Sequence, residues 1–191
     1  MSTMDTRNTL GNHTMSTRKI TEAIQRIEAV LQRKPEFGLH DDAPATAAWK
    51  DGTRFVASHP NGLQVATDMP TEFGGTGDQV TPGWLFRAGL ASCAATSILL
   101  AAAKAGIELA SLEVKAGSRS DTRGLLGLPG ADGQPVYGGP GDVTLSVRIA
   151  ADGIAPARLR ALVEAGVRQS PVPNVVTSAT VLALHIDTGG A

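Results

Sequence analysis

Thr81-Pro-Gly-Trp-Leu-Phe-Arg-Ala-Gly-Leu-Ala-Ser-Cys-Ala-Ala-Thr-Ser-Ile-Leu-Leu100 is the stretch on which the fold turns. Pro82 suits the first turn of a helix, where its missing N–H costs nothing. The helix is expected to run to about Ala105, with Gly106 as its cap. Ala88, Gly89, Ala91, Ser92, Ala94 and Ala95 would let another backbone approach closely, which places this helix at the centre of the molecule. Leu90 to Ala105 is apolar, yet Ser92, Thr96, Ser97 and Lys104 argue for a core helix rather than a membrane span. Cys93 is the only cysteine in the chain. It has no partner for an internal disulfide, so any chemistry it performs uses one sulfur and is completed from outside.

Working upstream, Ala45 to Asp68 changes to a period of two, broken at Lys50-Asp-Gly52 and Pro60-Asn-Gly62. Those breaks are turn signals, and the pattern predicts a meander of strands at roughly 45–50, 53–58 and 63–68. Pro70 to Thr81 is a loop. Ile20, Ile24, Ile27, Val30 and Leu31 recur at helical spacing, giving an amphipathic helix over 19–34 that follows a polar tail over 1–18. Downstream, Leu112, Val114 and Ala116 alternate as a strand. Val143, Leu145, Val147 and Ile149 form a second, with the cleanest alternation in the chain. Between them Gly124 to Gly141 carries seven glycines and three prolines and reads as a long flap. A helix starts at Pro156, and Thr180 to Asp187 is expected to be a last strand with Leu182, Leu184 and Ile186 inward. Strands, then a buried helix, then strands, helix and strand make an α+β class rather than a doubly wound sheet.

Composition removes several functions. The 191 residues fit one domain able to bury its own core. With 17 basic against 18 acidic residues, no electrostatic case exists for nucleic acid or an anionic membrane as partner. Aromatic residues at 4% offer no stacking platform for single strands. Glycine-rich phosphate loops and HExxH are both missing, and His40, His59 and His185 are too scattered for a metal site. The N-terminus holds no apolar run of signal-peptide length, so a cytoplasmic, reducing location is expected.

The residues around the thiol resemble a known family. Glu72-Phe-Gly-Gly75, Thr81-Pro82, Leu85-Phe86, Gly89 and Ala91-Ser92-Cys93, followed by Leu112-Glu-Val114, Ser120-Asp-Thr-Arg-Gly-Leu-Leu-Gly127 and Ser170-Pro-Val172, resemble in order the landmarks of the OsmC/Ohr proteins. These are the osmotically induced and organic hydroperoxide resistance proteins, and the resemblance spans about residues 45–187. It implies an intertwined α+β homodimer with the cysteine helices back to back and each active site drawing on both subunits. It also implies reduction of organic hydroperoxides, in which a thiolate becomes a sulfenic acid and is captured by a second cysteine.

Two positions depart from the family pattern. Ser170 stands where the second cysteine is expected, so an external thiol or dithiol would have to resolve the oxidised sulfur. Gly83 stands where a glutamate would hold the activating arginine. The resemblance makes Arg54 the candidate activator of Cys93, with Lys50 the alternative and packing or another acid, such as Glu72 or Asp78, left to hold the guanidinium. The cation matters because an ordinary thiol is only a few per cent thiolate at neutral pH, and a helix dipole fades within its first turn.

Phe73, Trp84 and Phe86 are candidates for an apolar pocket that takes an organic tail. Arg87, six positions before Cys93, lies on another face of an ideal helix and reads as a solvated or interface cation. Asp121 and Arg123 read as a pair bracing a turn. No cofactor or metal is expected. Two functions stay open: a one-cysteine thiol peroxidase, and a non-catalytic dimeric scaffold that binds a small apolar or electrophilic ligand.

Overall fold

A computed structural model of the chain describes residues 7–178, 180 and 182–188. The expected tail is partly helix, since α1 runs Arg7–Arg33. Residues 7–18 contain no proline, and once the later turns are anchored each further residue adds a hydrogen bond at little cost. The anchor is visible. Thr21 Oγ1 donates to the Ala103 carbonyl at 3.0 Å, and Glu28 pairs with Lys104. Ile20, Ile24 and Leu31 are half-buried, whereas Ile27 and Val30 face solvent, so the apolar stripe is only partly docked.

The meander forms as read: β1 (Thr46–Asp51), β2 (Arg54–Ser58) and β3 (Gln64–Thr67) make one antiparallel sheet in sequence order. A register shift between Trp49 and Asp51 marks a bulge at Lys50. Every residue of β1 is exposed, Trp49 at 65%. Thr67 bridges to Val80, which ties the sheet to the start of the next helix, whose first residues Pro82, Leu85 and Phe86 approach one face of it.

The helix α2 (Pro82–Lys104) begins where expected, with Thr81 Oγ1 accepting from the Trp84 N–H at 3.1 Å. Leu90, Ala94, Ile98 and Ala102 recur every fourth residue and form its buried face. By length and composition α2 would suffice to cross a membrane, but in this fold α1, β4 (Ser111–Arg119), α4 (Pro156–Arg168) and α5 (Pro171–Thr177) pack around it. β4 pairs antiparallel with β5 (Gly141–Ala150), and the short α3 (Thr122–Leu125) opens the flap between them.

The core under this sheet joins Ala102, Ile107 and Leu162, with Leu109, Ile149 and Ile154 against them. Its closest approach is at Gly166 of α4, where a Cβ would come within 2.8 Å of the Ile98 Cα. Backbone lies against backbone there, and only glycine fits.

One expected strand does not form. Residues 182–188 carry no strand, and Leu182, Leu184 and Ile186 are 90%, 78% and 76% exposed rather than inward. Alternation prepares a segment for a sheet, but a strand also needs an edge to pair with, and none is taken up among the described residues. Val181 of that segment lies outside the described residues.

Candidate active site

Cys93 sits midway along α2, half-exposed. Its one hydrogen-bond partner among the described residues is Ser170, whose Oγ donates to the sulfur at 3.2 Å. Ser170 is completely buried and precedes α5. The residue at the expected second-cysteine position thus touches the thiol, with an oxygen in place of a sulfur. Two turns toward the helix N-terminus, on the same face and about 10 Å along the axis, lies Phe86. It lines an apolar groove of about 340 Å³ with Pro82, Leu85, Ala47, Phe55, Ala57 and Thr67. Trp84 and Phe73, the other two aromatic candidates, do not line it. Trp84 is exposed, and Phe73 sits half-buried at the end of a short 3-10 turn, Thr71–Phe73.

The cation candidates lie elsewhere in the chain. Lys50 is exposed at the β1 bulge with no carboxylate partner among the described residues. Arg54 is clamped. Its Nη2 donates to Asp68 Oδ2 at 3.3 Å and to Thr76 Oγ1 at 2.7 Å, and it pairs with Asp78.

Asp68, just past β3 and 2% exposed, collects further donors from Thr53 Oγ1 (2.5 Å), Met69 N (2.8 Å), Thr76 N (3.0 Å) and Thr76 Oγ1 (2.7 Å). Thr76 Oγ1 is also 2.6 Å from Asp78 Oδ1, so its single proton is shared between two carboxylates. The Thr53 hydroxyl first, then the hydroxyl and N–H of Thr76, hold the Asp68 carboxyl far below the usual carboxylate range against the opposing effect of burial. Asp78 is lowered too, by Thr76 above all, with the Arg54 charge contributing less. The loop closes this tightly because residue 75 is glycine: a Cβ there would lie 1.9 Å from the Met69 carbonyl oxygen.

Asp78, one of the acids considered as a clamp in view of Gly83, holds Arg54 together with Asp68, which the sequence does not single out; Glu72 makes no ion pair with it among the described residues. The space at Gly83 is instead approached by Arg87, whose Nη1 is 3.7 Å from where a Cβ would stand and donates to Ser118 Oγ at 3.5 Å. Asp121 and Arg123 do brace a turn. Arg123 N and Nε donate to Asp121 Oδ1 at 2.9 and 3.0 Å and Nη2 donates to Oδ2 at 2.6 Å, which lowers the Asp121 carboxyl to about 2. Within one chain, no hydrogen bond among the described residues joins Cys93 to Arg54, Lys50 or Arg87.

A family model described as OsmC-like protein matches residues 75–185, more than half of the chain and the whole of the cysteine helix. The chain belongs to the OsmC-like protein family. Solved structures agree on the fold. An OsmC-like protein from Mycoplasma pneumoniae superposes with a TM-score of 0.60 at 18% identity, covering 73% of this chain and 89% of that one. The organic hydroperoxide resistance protein OsmC from Legionella pneumophila gives 0.52 at 23%, covering 72% and 90%. An OsmC-like protein of unknown function from Vibrio cholerae gives 0.56 at 15%, covering 71% and 94%. No curated protein sequence matches the chain. At these identities the likeness speaks for the OsmC-like fold, and the chemistry has to be argued from the site.

Proposed function

We propose that this OsmC-like protein reduces organic hydroperoxides through Cys93 alone, using an external thiol. The observation that carries this reading is the half-buried Cys93 at the centre of α2, in a chain with no second cysteine. The thiolate attacks the peroxide oxygen, the O–O bond breaks, and the alkoxide leaves to take a proton from solvent. The cysteine, oxidised by two electrons, is then a sulfenic acid. A small thiol condenses with it, releasing water and leaving a mixed disulfide, and a second thiol displaces Cys93 and departs as the external disulfide. The apolar groove beside Phe86 suits the organic tail of the peroxide. Dependence on an external thiol fits a reducing, cytoplasmic setting.

The experiment follows Cys93 oxidation of reduced protein by cumene hydroperoxide, read by intact mass, with C93S as control. Fast conversion to a species that added thiol reverses is expected. Oxidation no faster than that of free cysteine would sink the reading. One observation favours the second reading, an apolar-ligand scaffold without turnover: Arg54 is fully engaged by Asp68, Thr76 and Asp78 rather than aimed at the sulfur.

We also infer that the working unit is a homodimer. A three-stranded sheet needs a packed hydrophobic face to be stable, and the fully exposed β1 together with the exposed alternation of Leu182, Leu184 and Ile186 supplies apolar surface that a second copy would cover. Sedimentation velocity at micromolar concentration should give twice the chain mass; a monomer would refute the inference.

A further inference from the structure

Ser170 has a hydroxyl that its local chain does not use. It occupies the N-cap position of α5, where serine ordinarily accepts a hydrogen bond from an N–H of the first turn. Here it makes no such bond. The next residues explain why the local alternative is poor: Pro171 and Pro173 have no N–H, so only Val172 could be capped. Both backbone groups of Ser170 are already committed, its N–H to the Val167 carbonyl and its carbonyl to the Asn174 N–H, each at 3.1 Å. A fully buried hydroxyl needs a partner, and the one it has is the sulfur of Cys93.

We propose that Ser170 is the group that holds Cys93 in its reactive form, donating its proton to the sulfur, an assignment that rests on the thiol-dependent reading above. A neutral thiol sulfur is a weak acceptor and a thiolate is a strong one, so the same 3.2 Å contact is worth more once Cys93 has lost its proton. That difference favours the charged sulfur, which has no hydrogen-bonded cation among the described residues. After oxidation the neighbour is still an oxygen, so no disulfide closes inside the chain and the sulfenic acid waits for an external thiol.

The test uses the full-length protein and a reagent unrelated to peroxides. Alkylation of Cys93 by iodoacetamide is timed across pH for wild type and S170A, with circular dichroism confirming that both are folded. Loss of one charge-assisted hydrogen bond should slow S170A about tenfold near neutral pH. The two rates should converge at high pH, where both sulfurs are ionised and access alone decides. Superimposable curves would overturn the proposal, as would a deficit that persists at high pH.

S170C checks the geometry: treatment with diamide should link positions 93 and 170, seen as loss of the two thiol hydrogens by intact mass. Failure to link would show that the side chains do not meet. If S170A and S170C behave as stated while cumene hydroperoxide oxidises wild type no faster than free cysteine, the Ser170 assignment stands and the peroxide reading falls.

Discussion

Around Asp68 the chain gathers five donors onto one buried carboxylate, while around Cys93 it places a single hydroxyl. The first arrangement leaves nothing free to react: guanidinium, carboxylates and threonine hydroxyls satisfy one another, and the result fixes the loop that delivers Val80 to β3 and Pro82 to α2. The second leaves most of the sulfur's capacity unspent. The contrast separates a network that builds shape from a contact that tunes reactivity. Within one chain Arg54, expected as an activator, is bonded to that loop.

The sharpest way to break this contrast is at Asp68. D68N keeps the size but turns an acceptor for five donors into a group with one acceptor oxygen and two protons of its own, facing the N–H groups of Met69 and Thr76. A fall in Tm of roughly 5–10 °C is expected, with faster amide exchange over residues 69–80. The acid response supplies an internal check. Asp68 is depressed in the folded state, so its contribution is complete above the ordinary carboxylate value of 3.8 and fades as pH falls below it toward the folded value. Asparagine does not titrate, so the Tm gap between wild type and D68N should narrow below pH 3.8. A gap that stays constant through that range would mean the charge on Asp68 does not stabilise the loop.

The two regions were also unequally legible in the sequence. The meander, α2 and β5 were read nearly to their ends because period-two alternation, Pro82 and the turn glycines act locally. The clamp was not, because its donors come from positions 53, 54, 69 and 76 and meet only after β2, β3 and the loop have folded. Asp78 was within reach as an acid near the loop end, whereas Asp68 looked like any polar residue at a strand terminus. At the thiol, position 170 was picked out by resemblance, yet only the fold shows that its hydroxyl reaches the sulfur. The helix α5 has no counterpart in the sequence reading, although Pro171 suits its first turn. The last segment erred in the other direction. Its alternation was correct as a pattern, but it pairs with no sheet edge among the described residues.

Gly166 sharpens the comparison with a smaller effect, because it links the packing of α4 to the chemistry at Cys93 while leaving the clamp alone. Ser170 follows α4 by two residues, and α4 is held to α2 where Gly166 meets Ile98 backbone to backbone. Alanine there would need a Cβ within 2.8 Å of the Ile98 Cα, so α4 has to move outward or tilt. A shift of several tenths of an ångström costs little at an apolar contact but weakens a 3.2 Å hydrogen bond steeply. G166A should therefore lower Tm by a few degrees, slow neutral-pH alkylation of Cys93 in the same direction as S170A, and reduce diamide linkage in a G166A/S170C protein. Amide exchange over residues 69–80 should not change. Were that loop to loosen as well, the two regions would be one cooperative unit and the separation of shape from reactivity would fail; were only Tm to fall, with alkylation unaffected, the position of Ser170 would owe nothing to the helix crossing.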